Sequence, residues 1–171
     1  MSKTSLFAAV LVMAASGLAH AGGQSGSLGV GAEFQIVNAN VFGIAVPVGG
    51  ASVNYDAGDF HAGGFFGFAD PDGPDNTAYS LGGRFYYHVH STAMSDFGVG
   101  GSIGMLHLHN PPGMNNTDTF VFLEPGIQIR LFLASNVAIS ASTGIVIGTA
   151  DASGVGLTGQ TFAGGIHYYF F

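Results

Sequence analysis

At 171 residues the chain fits one domain, yet 8% charged residues against 47% apolar residues and 29 glycines fit neither a water-facing globule nor a disordered segment. A net charge of −7, with Lys3, Arg84 and Arg130 as the whole basic complement, excludes the positive patches that nucleic-acid binding needs. The absence of cysteine excludes a disulfide framework, thiolate metal sites, cysteine nucleophiles and lipid attachment at a cysteine behind a leader.

Residues 1–21 read as a secretory signal peptide. Lys3 supplies the positive start, "LFAAVLVMAA" (6–15) the apolar core, and Ala19-His20-Ala21 the small-x-small cleavage site. The apolar run falls short of the roughly 20 residues of a membrane-spanning helix. The mature domain is then expected at 22–171.

From there on apolar residues alternate, the period of a strand with one apolar face. Over 28–36, Leu28, Val30, Ala32, Phe34 and Ile36 share a face opposite Gly29, Gly31, Glu33 and Gln35. Weaker runs follow near 50–56 and 60–69. In 77–90, Tyr79, Leu81, Phe85, Tyr87 and Val89 oppose Ser80, Gly82, Arg84, His88 and His90. A run at 97–109 is followed by 120–133, where Val121, Leu123, Ile127, Ile129, Leu131 and Leu133 oppose Glu124, Gln128 and Arg130. The segment 137–147 alternates likewise, and 157–170 completes eight strands. Pro125 interrupts the sixth, where a bulge beside Glu124 is expected because proline is rare inside central strands.

The connectors alternate in length. Short turns lie at 56–59, 91–96 and 134–136, and longer Gly/Pro/Asn/Asp-rich loops at 38–49, 70–76, 110–118 and 150–156. That asymmetry predicts an all-β fold, an eight-stranded antiparallel up-and-down transmembrane β-barrel with short turns on the periplasmic side.

The chain closes on "GGIHYYFF" (164–171), with Ile166, Tyr168 and Phe170 on one face and His167 on the other. This stretch resembles the C-terminal strand of small bacterial outer-membrane β-barrel proteins, which ends Tyr-x-Phe. Phe171 is one residue beyond the usual end, and a register ending there would turn His167 toward lipid. The resemblance implies outer-membrane localisation, outer-membrane lipid and lipopolysaccharide as surroundings, and recognition of the last strand by the barrel assembly machinery. Ile166, Tyr168, Phe170 and Phe171 are the residues implied in that signal. No functional subfamily is indicated, and a monomer is expected.

A soluble lipocalin-like binder is the structural rival. It would point apolar residues inward and charges outward. Gly, Ser, Gln and a few charges are too weak a set to solvate such a surface, and they suit a narrow lumen. There Arg84 is expected to pair with Glu33, and Glu124 is a second candidate partner. Arg130 sits nearer the short turns. With Phe65, Tyr86 and Phe122 nearby, these side chains are expected to plug the lumen.

Histidine motifs give the remaining candidates. His88-Val-His90 and His107-Leu-His109 would lie about 26 Å apart on paired strands, too far to share a metal. His61, His88 and His90, with Asp59, could meet at the short-turn end, where imidazoles and a carboxylate suit zinc or copper. A wet polar rim is the simpler alternative there. Strand parity puts His107 and His109 on the lipid face unless a bulge near Gly104 switches it. A histidine there is the one hint of a lipid-modifying barrel enzyme, but no matching serine motif accompanies it. Asp70, Asp72 and Asp75 have the carboxylate density of a calcium loop without the EF-hand glycine placement. The reading is therefore non-enzymatic, with no cofactor and no assigned metal.

Overall fold

The computed structural model describes residues 25–39, 44–70, 77–109, 118–150, 154–156 and 161–170. The expected leader, Asp72, Asp75 and Phe171 lie outside them. The strand segments are β1 (Ser27–Ala39), β2 (Ile44–Asp56), β3 (Phe60–Ala69), β4 (Ala78–Ser91), β5 (Ser95–Leu108), β6 (Asp118–Ala134), β7 (Val137–Gly144), β8 (Val146–Ala150), β9 (Gly154–Gly156) and β10 (Thr161–Phe170). β8 prolongs β7 and β9 precedes β10, so the segments make eight staves. Each pairs antiparallel with its sequence neighbour, and β1 pairs with β10 from Leu28–Phe170 to Val37–Thr161. The sheet has no free end: it is a closed, all-β, eight-stranded antiparallel barrel.

Alternation sets the two faces. Phe34, Phe66, Leu81, Phe85, Ile103, Leu123, Ile127 and Ile166 point outward and are exposed, while Glu33, Ser52, Ser80, Arg84, Ser102, Glu124, Gln128 and His167 point inward and are buried. The interior is layered. Phe132, Ala138 and Tyr169 pack at the short-turn end, charged side chains occupy the lower and middle levels, and Leu106, Leu108 and Phe120 fill the level beneath the long loops.

Several expected boundaries shift. Most of the loop expected at 38–49 is strand: β1 runs to Ala39, which faces Ile44 across the hairpin. Pro47 is tolerated there because, among the described residues, β2 pairs with β3 only from Gly49 onward, so no ladder bond described on that edge calls on its N–H. The last stave starts earlier than 157, with Gly154–Gly156 laddered to Val146–Gly148.

No bulge forms at Pro125. It faces Gly101 on one side, and the β6 registers with β7 and β8 are continuous across it. Its carbonyl accepts the Ile145 N–H at 2.9 Å, but proline returns no N–H, and the ladder lapses for that residue between β7 and β8. Nor does one form at Gly104, since β5 keeps register with both neighbours. The register shifts lie instead between His88 and His90 and between Phe132 and Ala134, both near short turns. At the β2–β3 turn, Gly58 takes φ 90°, a left-handed conformation that glycine adopts without strain.

Glycine also admits the aromatic rings of the lumen. A Cβ at Gly82 would lie 2.3 Å from Phe65 Cζ and 2.6 Å from the Ile103 carbonyl oxygen. Phe65 thereby stacks on Phe122 with ring centroids 6.5 Å apart. Outward-facing Gly83 is different, because a Cβ there meets nothing nearer than the Gly63 oxygen at 3.6 Å. Gly82→Leu is therefore expected to destabilise the barrel by about 1–3 kcal/mol or more through overpacking, while Gly83→Ala stays within about 0.5 kcal/mol of wild type. Urea titration of the heat-modifiable folded band on gels checks both.

Candidate functional site

The lumen carries its charge in two tiers, each built on one arginine. The lower tier sits where β2, β4, β5 and β6 approach the short turns. Asp56 is the last residue of β2, Asp96 the second of β5, and Arg130 projects inward from β6 toward both. Arg130 Nη2 is 2.7 Å from Asp56 Oδ2 and 2.6 Å from Asp96 Oδ2. It is also 3.0 Å from His88 Nε2, while Nη1 donates to the Tyr169 hydroxyl at 3.1 Å. The guanidinium carbon lies 5.3 Å from the Phe132 ring centroid. Arg130 is 2% exposed and Asp56 0%, so these charges are compensated by one another rather than by solvent.

The histidines complete this tier. His88 Nδ1 is 2.6 Å from the Gly58 carbonyl, which can only accept, so Nδ1 carries the proton and Nε2 is left as acceptor. His61 Nδ1, 2.7 Å from that Nε2, is then a donor. The ligand atoms of Asp56, His88 and Asp96 lie within 4.8 Å of one another, a spacing suited to a metal. Arg130 reaches all three of these residues and supplies the cation itself.

His90 does not join His61 and His88. The extra residue at Val89 moves His90 opposite Phe97, on the outer face, where it is exposed. Asp59 is exposed too. The three-histidine arrangement considered from the sequence is thus reduced to His61 and His88, because a bulge reverses the parity on which it depended.

The upper tier lies at mid-height. Arg84 from β4 reaches across the lumen to Glu33 on β1, its Nη2 donating to Glu33 Oε2, and both side chains are buried. His167 Nε2 approaches Glu33 Oε1 at 3.0 Å and Ser52 Oγ at 2.6 Å, so side chains from β4 and β10 converge on one carboxylate of β1, with Ser52 of β2 against the imidazole. Arg84 also stands over the Phe65 ring at 5.3 Å. Glu124 accepts from Ser102 Oγ at 3.0 Å on the neighbouring strand. Free spaces beside this tier measure about 10 Å³ each, bounded by Glu33, Phe65, Arg84, Tyr86, Ser102 and Glu124 among others. Each has room for about one water molecule.

Sequence parity placed Glu33, Arg84, Glu124 and Arg130 in the lumen, but it passed over Asp56 and Asp96 as turn residues. A usable signal was present: both share inward parity with their strands and lie, like Arg130, a few residues from a short turn. On the last stave, Ile166, Tyr168 and Phe170 point outward, and His167 and Tyr169 inward. His107 and His109 follow from the unbroken register of β5. His107 stands on the outer wall, bonded through Nδ1 to Thr119 Oγ1 at 2.8 Å and stacked on Tyr79. Asp70, at the edge of the acidic loop, accepts from Thr77 Oγ1 at 3.3 Å.

No protein-family model and no curated protein matches the chain. Among solved structures, the N-terminal β-barrel domain of Pseudomonas aeruginosa OprF superposes with a TM-score of 0.64 at 13% identity, covering 87% of this chain and 99% of that one. Ail, the attachment invasion locus protein of Yersinia pestis, gives 0.48 at 16% identity, covering 86% and 100%. The backbone structure of the outer membrane protein Ail in a phospholipid bilayer nanodisc gives 0.48 at 15% identity, covering 85% and 100%. At these identities the likeness to the OprF domain is one of fold.

Removing one partner of a buried ion pair leaves the other uncompensated, at about 3–5 kcal/mol, less wherever lumen water reaches it. Arg130→Ala strands two carboxylates, whereas Arg130→Ala combined with Asp56→Asn and Asp96→Asn strands neither. Arg130→Ala alone is expected to lower the urea midpoint of the folded band sharply, and the triple variant to recover most of that loss.

Proposed function

We propose that the chain is an integral outer-membrane β-barrel protein, monomeric and non-enzymatic, with a structural, interaction or limited-permeability role and a lumen largely plugged by its own side chains. The observation that carries this reading is the inverted polarity of the wall. Apolar side chains face outward around the staves, while both described arginines are buried within the ring. A water-soluble barrel needs the opposite arrangement, and an outward apolar band around a polar interior is the arrangement that hydrocarbon selects.

Plugging is argued from the two arginine tiers, the Phe65–Phe122 stack and the Phe132–Tyr169 layer, which lie at successive heights across the interior. An eight-stranded barrel is narrow enough for side chains to fill. Under this reading, the wild-type protein in planar bilayers conducts little, and Arg84→Ala raises conductance or destabilises the barrel. Large, steady channels from the wild type would overturn the plugged lumen.

Export and assembly are assigned to the two ends of the sequence: the leader at 1–21 directs Sec-type export, and the final strand is read by the barrel assembly machinery. Phe170 pairs with Leu28 in the ladder that closes the ring, and Phe171 follows it in the sequence. Deleting Phe170 and Phe171 together is expected to leave protein exported but unassembled, and replacing Phe171 alone to matter less. Loss of heat-modifiable migration on deleting Phe171 alone, with Phe170→Ala unaffected, would contradict this register.

A further inference from the structure

The turn between β2 and β3 orients two side chains of the lower tier at once. Gly58 donates its N–H to Asp56 Oδ1 at 2.9 Å and offers its carbonyl to His88 Nδ1 at 2.6 Å. A carboxylate and an imidazole from different staves are thereby fixed by one residue. The atoms left over, Asp56 Oδ2 and His88 Nε2, both lie against Arg130 Nη2. Carboxylates and histidines that bind metals are held in this way, each by a hydrogen bond on the atom that does not ligate.

Arg130 fills the space between these atoms without satisfying all of them. Nη2 carries two hydrogens and has three acceptors around it: Asp56 Oδ2 at 2.7 Å, Asp96 Oδ2 at 2.6 Å and His88 Nε2 at 3.0 Å. Asp96 and His88 take the hydrogens. Asp56 Oδ2, on a residue with no solvent exposure, is left without a hydrogen bond. The charges are unequal too, since one guanidinium stands against two carboxylates. A divalent cation on the same three atoms removes both mismatches, because it needs no hydrogens and matches the two carboxylates in charge.

His61 supplies a fourth donor. Its Nδ1 lies 2.7 Å from His88 Nε2, and its Nε2 has no hydrogen-bond partner. Shifting the ring proton from Nδ1 to Nε2 frees Nδ1 to ligate. Two carboxylate oxygens and two imidazole nitrogens suit four-coordinate zinc, whereas calcium and magnesium take oxygen ligands. Arg130 keeps other contacts when Nη2 withdraws. Nη1 donates to the Tyr169 hydroxyl at 3.1 Å, and the guanidinium carbon lies 5.3 Å from the Phe132 ring centroid and 6.0 Å from that of Tyr169. His88 is half-buried, which opens the tier to ions from the short-turn end.

We propose that the lower tier is a zinc site, with Asp56, His61, His88 and Asp96 as ligands and Arg130 as a competing cation that zinc displaces. Bound zinc ties β2, β3, β4 and β5 together, where Arg130 ties β2, β5 and β6. The site adds a ligand to the function proposed above and stands whether or not the lumen conducts.

The test uses the mature protein folded in detergent and dialysed against zinc alone, with bound metal counted by plasma mass spectrometry and folding followed by heat-modifiable migration. The wild type is expected to hold one zinc, and no magnesium in a parallel dialysis. Asp96→Asn and His88→Phe are each expected to weaken zinc binding about tenfold or more, equivalent to about 1.4 kcal/mol. His90→Ala, at an exposed histidine outside the tier, leaves binding unchanged. Arg130→Ala removes the competitor, so it is expected to bind zinc about tenfold more tightly and to regain, with zinc, the urea stability lost with the arginine. The triple variant that also carries Asp56→Asn and Asp96→Asn strands no charge, so it tests the ligands in a folded barrel, and it is expected not to respond to zinc. A folded wild type that holds no zinc, retention that follows His90 instead of His88, or a triple variant that binds zinc as Arg130→Ala does would overturn the proposal.

Discussion

Pairing between β1 and β10 is the contact on which the rest of the molecule depends. It joins the two ends of the described sheet through a ladder from Leu28–Phe170 to Val37–Thr161. Without it, both terminal strands would present a row of unpaired amides and carbonyls. With it, the sheet has an inside and an outside, and strand alternation distributes side chains between them. The aromatic end of the chain is part of this closure: Tyr168 and Phe170 stand outward, while His167 and Tyr169 enter the lumen and contact the arginine tiers.

Closure also creates the electrostatic problem that the lumen resolves. A narrow ring leaves little water beside a guanidinium, so each arginine is matched to acceptors from other staves. Arg130 joins β6 to Asp56 on β2 and Asp96 on β5, while Arg84 joins β4 to Glu33 on β1. The Arg130–Asp56 and Arg84–Glu33 links span the ring where backbone ladders cannot, so they brace its cross-section, whereas Asp96 faces Arg130 directly in the β5–β6 ladder. Ion pairs of this kind hold a geometry more than they add stability, because much of the attraction is offset by desolvation. Glycine complements them by leaving room, since at Gly82 the missing side chain is the space into which Phe65 projects.

Much of this architecture was legible in the sequence because the strand period is strict and each wall has one apolar side. Leu81 and Phe85 against Ser80 and Arg84 gave the faces of β4 without reference to any partner. What stayed hidden depends on two strands at once. The bulge that turns His90 outward is a mismatch between β4 and β5, and the one near Leu133 a mismatch between β6 and β7. Neither has a local signature comparable to proline, and Pro125, which has one, leaves the register unchanged. The first long loop was overestimated because Pro47 and Gly49 read as loop chemistry, whereas the β1–β2 ladder runs through both. The partners of Arg130 were missed because Asp56 and Asp96 border turns, where acidic residues are ordinary.

Assignment of the apolar wall to the hydrocarbon of a bilayer is tested most directly by fluorescence quenching. The sequence contains no tryptophan, so single tryptophans at Leu81 on the outer wall and Met94 in a short turn can be read without background. In liposomes containing brominated acyl chains, the tryptophan at Leu81 is expected to be strongly quenched and shielded from aqueous iodide, with the reverse at Met94. A detergent-free soluble monomer in which the tryptophan at Leu81 is quenched by iodide and untouched by brominated lipid would contradict it.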